Sequence, residues 1–386
     1  MSILRNHETL NSSSEQIFIL CQPFTDVIFT YQHFNLSAFC LAANGSVLYD
    51  EKKFIQFSRE IQSLSSSPES NSSMQCDCSA NRTVPSSKPF NQVGINCGGS
   101  GLNTARALNC LAKGSVRFFG IIGDDSLSSF IVEHLSKIEL DCSLHTVLDG
   151  CTASCVVLIE NESKSRSMVS TLGCSMQFPE RFIKKGFFDG CAIFYLCGYM
   201  LDATEELLAD LLVELHEKSG VLFVFNLSAP FCVKNRARRD VLVKILQRAD
   251  IVLCNEEEAL AFYIEFLCDS LDKHFPNSSV VTQDIVLQLA KFKSKIASGR
   301  TTVVTRGSNS TLVLHDGLFA DVPLSSKYPN LPVVDTTGGG DCFAAGFMNE
   351  ILSSKGFSDK LDILRCIEKG HEFAEFIVKR LGISFD

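Results

Sequence analysis

Val333-Val334-Asp335-Thr336-Thr337-Gly338-Gly339-Gly340-Asp341-Cys342-Phe343-Ala344-Ala345-Gly346-Phe347 reads as the end of a strand, a turn of three glycines and the opening of a helix built from small residues. Glycines allow positive φ and let a ligand come close to the backbone. The first amides of a helix lack internal partners and carry partial positive charge, so they attract anions. Asp341 falls at the start of that helix. A carboxylate beside an anion hole at Gly338, Gly339 and Gly340 suits phosphoryl transfer to an alcohol: a proton acceptor for the hydroxyl, and donors for the charge on the transferred group. Taken alone, the same residues also suit a plain helix N-cap at Asp341 and a turn residue at Asp335.

A second glycine segment, Cys97-Gly98-Gly99-Ser100-Gly101-Leu102-Asn103-Thr104, repeats this logic in the N-terminal half. Its G-x-G-x-x-N pattern is not the dinucleotide fingerprint, and the chain has no P-loop G-x-x-x-x-G-K-[ST]. Gly99, Ser100 and Asn103 are placed to hydrogen-bond substrate hydroxyls; a tight helix–sheet packing turn is the other reading.

Outward from these segments, short apolar runs alternate with amphipathic ones. Strands are expected at Ile17–Cys21, Val116–Ile122, Ala192–Cys197, Leu222–Asn226, Ile251–Cys254, Thr302–Thr305 and Thr311–His315. Helices are expected at Leu102–Leu111, Ser126–Ser136, Glu205–Lys218, Arg239–Ala249, Glu256–Cys268, Gln283–Ser298, Cys342–Leu352 and Leu361–Lys379. Apolar strands separated by helices imply an α/β fold, a mainly parallel sheet covered on both faces, with its ligand crevice at the carboxyl ends of the strands. Asp26–Tyr49 and Val147–Gly173 read instead as short alternating strands, fit for a small antiparallel sheet that projects as a lid. Residues 1–16 form a polar tail, residues 17–386 one domain, and Ser63–Pro89, rich in Ser, Asn and Pro, a disordered insert.

The 386 residues carry a net charge of −9, which argues against a nucleic-acid or anionic-membrane binder. No apolar run is long enough to span a bilayer, and Met1–Gln16 does not read as a signal peptide. Seventeen cysteines lie mostly in apolar runs, where thiols act as small hydrophobes. They are read as reduced, in the cytoplasm, with the nucleus left open. Cys76 and Cys78 have no second pair or His motif nearby, so no zinc site is assigned.

The two glycine segments together resemble the signatures of the ribokinase-like (PfkB) sugar and nucleoside kinases. Phe225-Asn226-Leu227-Ser228-Ala229-Pro230-Phe231, Cys254-Asn255-Glu256-Glu257-Glu258-Ala259 and Thr305-Arg306-Gly307 resemble further stretches of the adenosine kinase subgroup. The resemblance runs from about Ile17 to Phe385, apart from the Ser-rich insert. It implies a three-layer α/β/α core with a small β-rich lid, ATP as donor, Mg²⁺, and adenosine converted to AMP by a monomer that acts on small molecules. It further implies Asp341 as the base, Gly338–Gly340 as the anion hole and Arg166 as a lid arginine near the phosphates. Asp26 would hold the ribose hydroxyls, with Gly99, Ser100 and Asn103 as further ribose contacts. Tyr199 and Gln22 would lie near the base. Asn255 and Glu258 would organise Mg²⁺ through water, with no direct metal ligand, and Thr305, Gly307 and His371 would surround the ATP nucleoside. The chain departs from the pattern at Gln22, where the family has Asn, and at Gly339, where it usually has Ala. The alternatives are a kinase for another nucleoside or a sugar, or a non-catalytic ligand-binding paralogue.

Overall fold

The apolar β-branched and aromatic runs become strands, and the amphipathic runs become helices packed over them. A computed structural model describes residues 16–32, 36–39, 41, 46–65, 90–163, 165–218, 220–266, 286, 301–324, 332–354, 362–380 and 382–385. In chain order the strands are β1 (Gln16–Leu20), β2 (Phe24–Tyr31), β3 (Ser46–Leu48), β4 (Phe90–Gly98), β5 (Val116–Ile122), β6 (Asp141–Thr146), β7 (Ser154–Glu160), β8 (Arg166–Thr171), β9 (Cys191–Cys197), β10 (Leu222–Asn226), β11 (Ile251–Asn255), β12 (Thr301–Arg306), β13 (Asn309–His315) and β14 (Leu318–Val322). The α-helices are α1 (Glu51–Ser65), α2 (Ser100–Leu111), α3 (Ser126–Lys137), α4 (Glu205–Glu217), α5 (Pro230–Lys234), α6 (Arg239–Arg248), α7 (Glu256–Phe266), α8 (Gly339–Ser353) and α9 (Ile363–Val378).

Nine strands form one sheet in the order β14-β13-β12-β11-β10-β9-β1-β5-β6, parallel except where β13 and β14 turn back antiparallel on β12. Side-chain alternation along the strands divides the core in two. Phe18, Phe194 and Phe223 pack with α4, α6 and α7, whereas Ile17, Ile19, Ile193 and Val224 pack with α2, α3, α8 and α9. This is the expected three-layer arrangement, built by period-2 strands buried on both faces.

The second sheet has the order β3-β8-β7-β2-β4. It is mixed rather than antiparallel: β2 pairs β7 in parallel and β4 antiparallel, and β3 pairs β8 in parallel. Phe54, Phe57 and Ile61 of α1 cover one face of it through Phe29, Tyr31, Val156, Leu158 and Val169. The chain crosses between the sheets at Cys21–Pro23, Gly98–Gly99, Val147–Ala153 and Leu172–Cys174, so this sheet stands over the carboxyl ends of the main one.

Three sequence expectations change, and others fall outside the described residues. Gln16, assigned to the tail, opens β1. The strand expected before the glycine turn is absent: Val334 and Asp335 both donate their amides to the Val378 carbonyl at the end of α9, so no strand ladder can form there. Ser63–Ser65, placed in the insert, complete the last turn of α1. The helix expected at Gln283–Ser298 lies outside the described residues except for Val286, as do the rest of the insert, residues 66–89, and the tail before Gln16. Among the described residues, no helix is long and apolar enough to cross a membrane.

Candidate active site

The site forms where the carboxyl ends of β10, β11 and β12 meet the first turns of α2 and α8. Ser100, Asn226, Ser228, Asn255, Glu258, Thr305, Gly340, Asp341 and Phe343 line a cavity of about 140 Å³ there. Gly338 caps α8 with φ 77° and ψ 0°, a left-handed conformation that an L side chain adopts only with strain. Within the turn, the Gly339 amide donates to the Thr336 carbonyl, and the Cys342 amide donates to the Gly338 carbonyl. The free donors are therefore fewer than three glycines imply: Gly339 is taken, while the amides of Gly340 and Asp341 have no partner among the described residues.

Asp341 faces the cavity. The Ser100 hydroxyl donates to its Oδ1 at 2.6 Å and Asn103 Nδ2 donates to its Oδ2 at 3.2 Å. Burial pushes the Asp341 carboxyl up to about 6, against the pull of those two hydrogen bonds. Glu258, across the cavity, is likewise pushed up to about 7 by burial, with smaller contributions from the charges of Glu257 and Asp341. Asn255 and Glu258 form a reciprocal cap at the start of α7. Asn255 gives its side-chain and backbone N–H groups to the Glu258 carboxylate at 2.7 and 3.0 Å, and Glu258 returns its amide to Asn255 Oδ1 at 2.9 Å. Thr305 joins this wall by donating to the Cys254 carbonyl at 3.4 Å.

Asp26 approaches from the second sheet. A Cβ on Gly98 would lie 2.1 Å from Asp26 Oδ2, so only glycine lets the carboxylate rest against the backbone there. Burial raises the Asp26 carboxyl to about 7, although Arg106 and Arg166 pull it down. Gly99 caps α2 beside it at φ 93°.

The remaining expected residues divide. Arg166, expected near phosphates, donates to Asp335 Oδ2 at 2.5 Å and to the Thr337 hydroxyl at 2.7 Å, beside the glycine turn. Asp335 also accepts the amides of Thr337 and of Gly382 in the C-terminal segment, so one carboxylate ties together the turn, the second sheet and the chain end. Gln22 is buried, and its amide donates to the Tyr199 carbonyl at 3.0 Å and to Met176 Sδ at 3.3 Å. Tyr199 donates its hydroxyl to the Ser228 carbonyl at 3.3 Å and packs against Phe231. Asp26, Gln22, Gly99, Asn103, Arg166 and Tyr199 lie outside the lining of the cavity, as do Gly307 and His371. Gly307 sits in the β12–β13 turn at φ 59° with open space beside it. The His371 ring is buried against Phe343 and meets the Thr311 hydroxyl at 2.7 Å; burial lowers its pKa to about 4, so it is a neutral core residue here.

Sequence reasoning missed Ser228 as a site residue. It holds a positive φ of 68°, accepts the Gly198 amide on its hydroxyl and lines the cavity. The Asn226–Phe231 stretch carried the signal, but it was read only as a family marker. Among the described residues, no three His, Cys, Asp or Glu side chains gather as a metal site.

A parallel α/β sheet whose strand ends converge on a glycine-primed helix bearing a buried acid defines a ribokinase-like phosphotransferase. The family model of the pfkB family carbohydrate kinases matches residues 71–386, and the chain belongs to that family. It is 28% identical over 291 residues to adenosine kinase of Saccharomyces cerevisiae, covering 75% of this chain and 79% of that protein. It is 25% identical over 384 residues to adenosine kinase of Schizophyllum commune, covering 97% of each. Its fold resembles that of Anopheles gambiae adenosine kinase in complex with P1,P4-di(adenosine-5) tetraphosphate, with a TM-score of 0.71, 22% identity, and 96% of this chain and 98% of that one covered.

Proposed function

We propose that the chain transfers the γ-phosphoryl group of ATP to the 5′-hydroxyl of adenosine, giving AMP and ADP, with Asp341 as general base. The observation that carries this reading is the Asp341 carboxylate at the first turn of α8, facing a cavity beside unpartnered helix amides. Adenosine as acceptor is supported by the relatives named adenosine kinase, which cover 75% and 97% of the chain.

The acceptor enters between the two sheets. Asp26 receives the ribose hydroxyls, and Gly98 and Gly99 keep the backbone close enough for that contact. Tyr199, held by Gln22 and Ser228, forms a wall for the base. The 5′-hydroxyl gives its proton to Asp341 as its oxygen attacks the γ-phosphorus in line with the leaving β-phosphate oxygen. The amides of Gly340 and Asp341, at the positive end of α8, stabilise the charge on the transferred group. Arg166 and Asp335 hold the turn that presents these amides. The second sheet acts as a lid that excludes water, which would otherwise compete as acceptor.

Mg²⁺ suits the Asn255–Glu258 end of the cavity. Both Glu258 oxygens already accept from Asn255, and no cation pairs with this buried carboxylate among the described residues. That leaves negative charge for a hydrated divalent ion to balance through water rather than by direct ligation. When bound, such an ion would supply charge neutralisation for the phosphates, with Asn255 and Glu258 holding its water shell. We read the protein as a cytoplasmic monomer.

An acceptor panel with labelled ATP tests the reading. Adenosine should be phosphorylated at the 5′ position with the highest kcat/KM among adenosine, other nucleosides, ribose and fructose. A preferred sugar or a different preferred nucleoside overturns the acceptor, and no ligand-dependent turnover with any of them overturns the enzyme.

A further inference from the structure

Ser100 and Asn103 were expected to hold the acceptor, yet both direct their protons at Asp341. They occupy the first turn of α2 at positions i and i+3, on one face of that helix. Asp341 occupies the first turn of α8. The carboxylate therefore lies at two helix N-termini at once, and each of its oxygens accepts one side-chain donor. A serine hydroxyl has a single proton, and here it goes to Asp341 at 2.6 Å, so toward a substrate Ser100 can only accept. Cys197 Sγ lies behind it at 3.9 Å from the same oxygen. Asn103 is 7% exposed, and its Oδ1 has no partner among the described residues. Turning the amide over would set Oδ1 against the carboxylate, so Nδ2 is the atom that faces Asp341.

Building on the reading of Asp341 as base, we propose that Ser100, with Asn103 as second donor, is a positioning residue that fixes the Asp341 carboxylate and keeps it ionised for proton abstraction. Ser100 leaves the second lone pair of Oδ1 open to the acceptor's hydroxyl, so the base is aimed before substrate arrives. The need for such a clamp is physical: burial alone favours the protonated acid, which cannot accept a proton, and hydrogen bonds to the anion oppose that effect.

The titratable groups around Asp341 are Tyr195 and Cys197 on β9, Tyr199 after it, Glu258 on α7 and Cys342 on its own helix. Burial pushes the phenols and Cys342 upward; Cys197 is raised first by its hydrogen bond with Cys21 and then by burial, so all four stay neutral in the acid range. Glu258, and Asp26 at the acceptor end of the site, titrate in the same range, and both are common to wild type and variants.

The test is kcat/KM against pH for Ser100→Ala, Asn103→Ala and Ser100→Thr. Removing one hydrogen bond to a charged group should raise the acid limb by about one pH unit in Ser100→Ala, and in the same direction by less in Asn103→Ala. Ser100→Thr, which keeps the hydroxyl, should restore the wild-type profile. A carboxyl NMR titration of aspartate-labelled protein, with Asp341→Asn supplying the assignment, reads the same shift without turnover. An unmoved acid limb together with a raised KM for adenosine would make the two residues acceptor contacts and overturn the proposal. Near wild-type turnover in Asp341→Asn would instead remove the base itself.

Discussion

Replacing Gly338 with alanine probes the glycine turn at its most constrained point. The residue holds φ 77°, and a Cβ built there would lie 2.7 Å from both Cδ1 and Cγ1 of Ile383. The left-handed conformation costs an alanine about 1–2 kcal/mol. Ordinary carbon contacts begin near about 3.5 Å, so Ile383 must also retreat by about 1 Å. Ile383 follows Gly382, whose amide donates to Asp335 at 2.7 Å, and Asp335 in turn accepts the Thr337 amide. The overlap is thereby transmitted to the turn that carries the helix amides. A displacement of that size at a reacting centre lowers turnover by about 10²-fold. Thermal melts and steady-state kinetics with adenosine and ATP measure the two effects, with Tm expected to fall by a few degrees. Gly338→Ala combined with Ile383→Ala removes the overlap but not the φ strain, so it should recover part of the turnover and less of the stability. Wild-type turnover in the single variant would refute the reasoning, because the turn would then tolerate both strain and displacement.

Asp26→Asn should weaken adenosine binding and yet stabilise the free protein at alkaline pH. Its folded pKa, about 7, lies above the unfolded value of 3.8, so its favourable contribution is present at low pH and is lost as pH rises through the folded value. Isothermal titration and melts at two pH values check both halves; unchanged affinity would remove Asp26 from the acceptor site. Turnover of the wild type should fall as pH drops from about 7 through about 6, where Glu258 and Asp341 gain protons. A pH–rate profile flat across that range would contradict the assignment of both. Arg166→Ala should lower kcat with little change in ATP affinity if the guanidinium acts through Asp335 and the turn; a rise in the KM for ATP alone would make it a direct phosphate ligand instead.

The parts of the fold that depend on local pattern were legible. Leu222–Asn226 and Val116–Ile122 read as strands because their burial on both faces leaves no polar alternation. The start of α8 read correctly because glycines and an acid at a helix N-terminus have a local cause. β4 did not read, because it is an edge strand with Val93 and Ile95 exposed and Asn, Gln and Gly between them. α1 was legible but went unread: Phe54, Phe57, Ile61 and Leu64 recur at helical spacing along a polar stretch. Nor could any local pattern show that Ser100 meets Asp341, 241 residues away, or that His371 packs beside Phe343 and meets Thr311. Such contacts arise only when α2, α8 and α9 pack on one face of the sheet.

The claim that phosphoryl transfer runs through one carboxylate at the head of α8 is tested most directly by comparing Asp341→Asn with the wild type under saturating adenosine and ATP, with ATP binding measured separately. The account expects kcat to fall by about 10²–10⁴-fold while the nucleotide Kd stays close to wild type. A folded Asp341→Asn protein that still phosphorylates adenosine at close to the wild-type rate would contradict it.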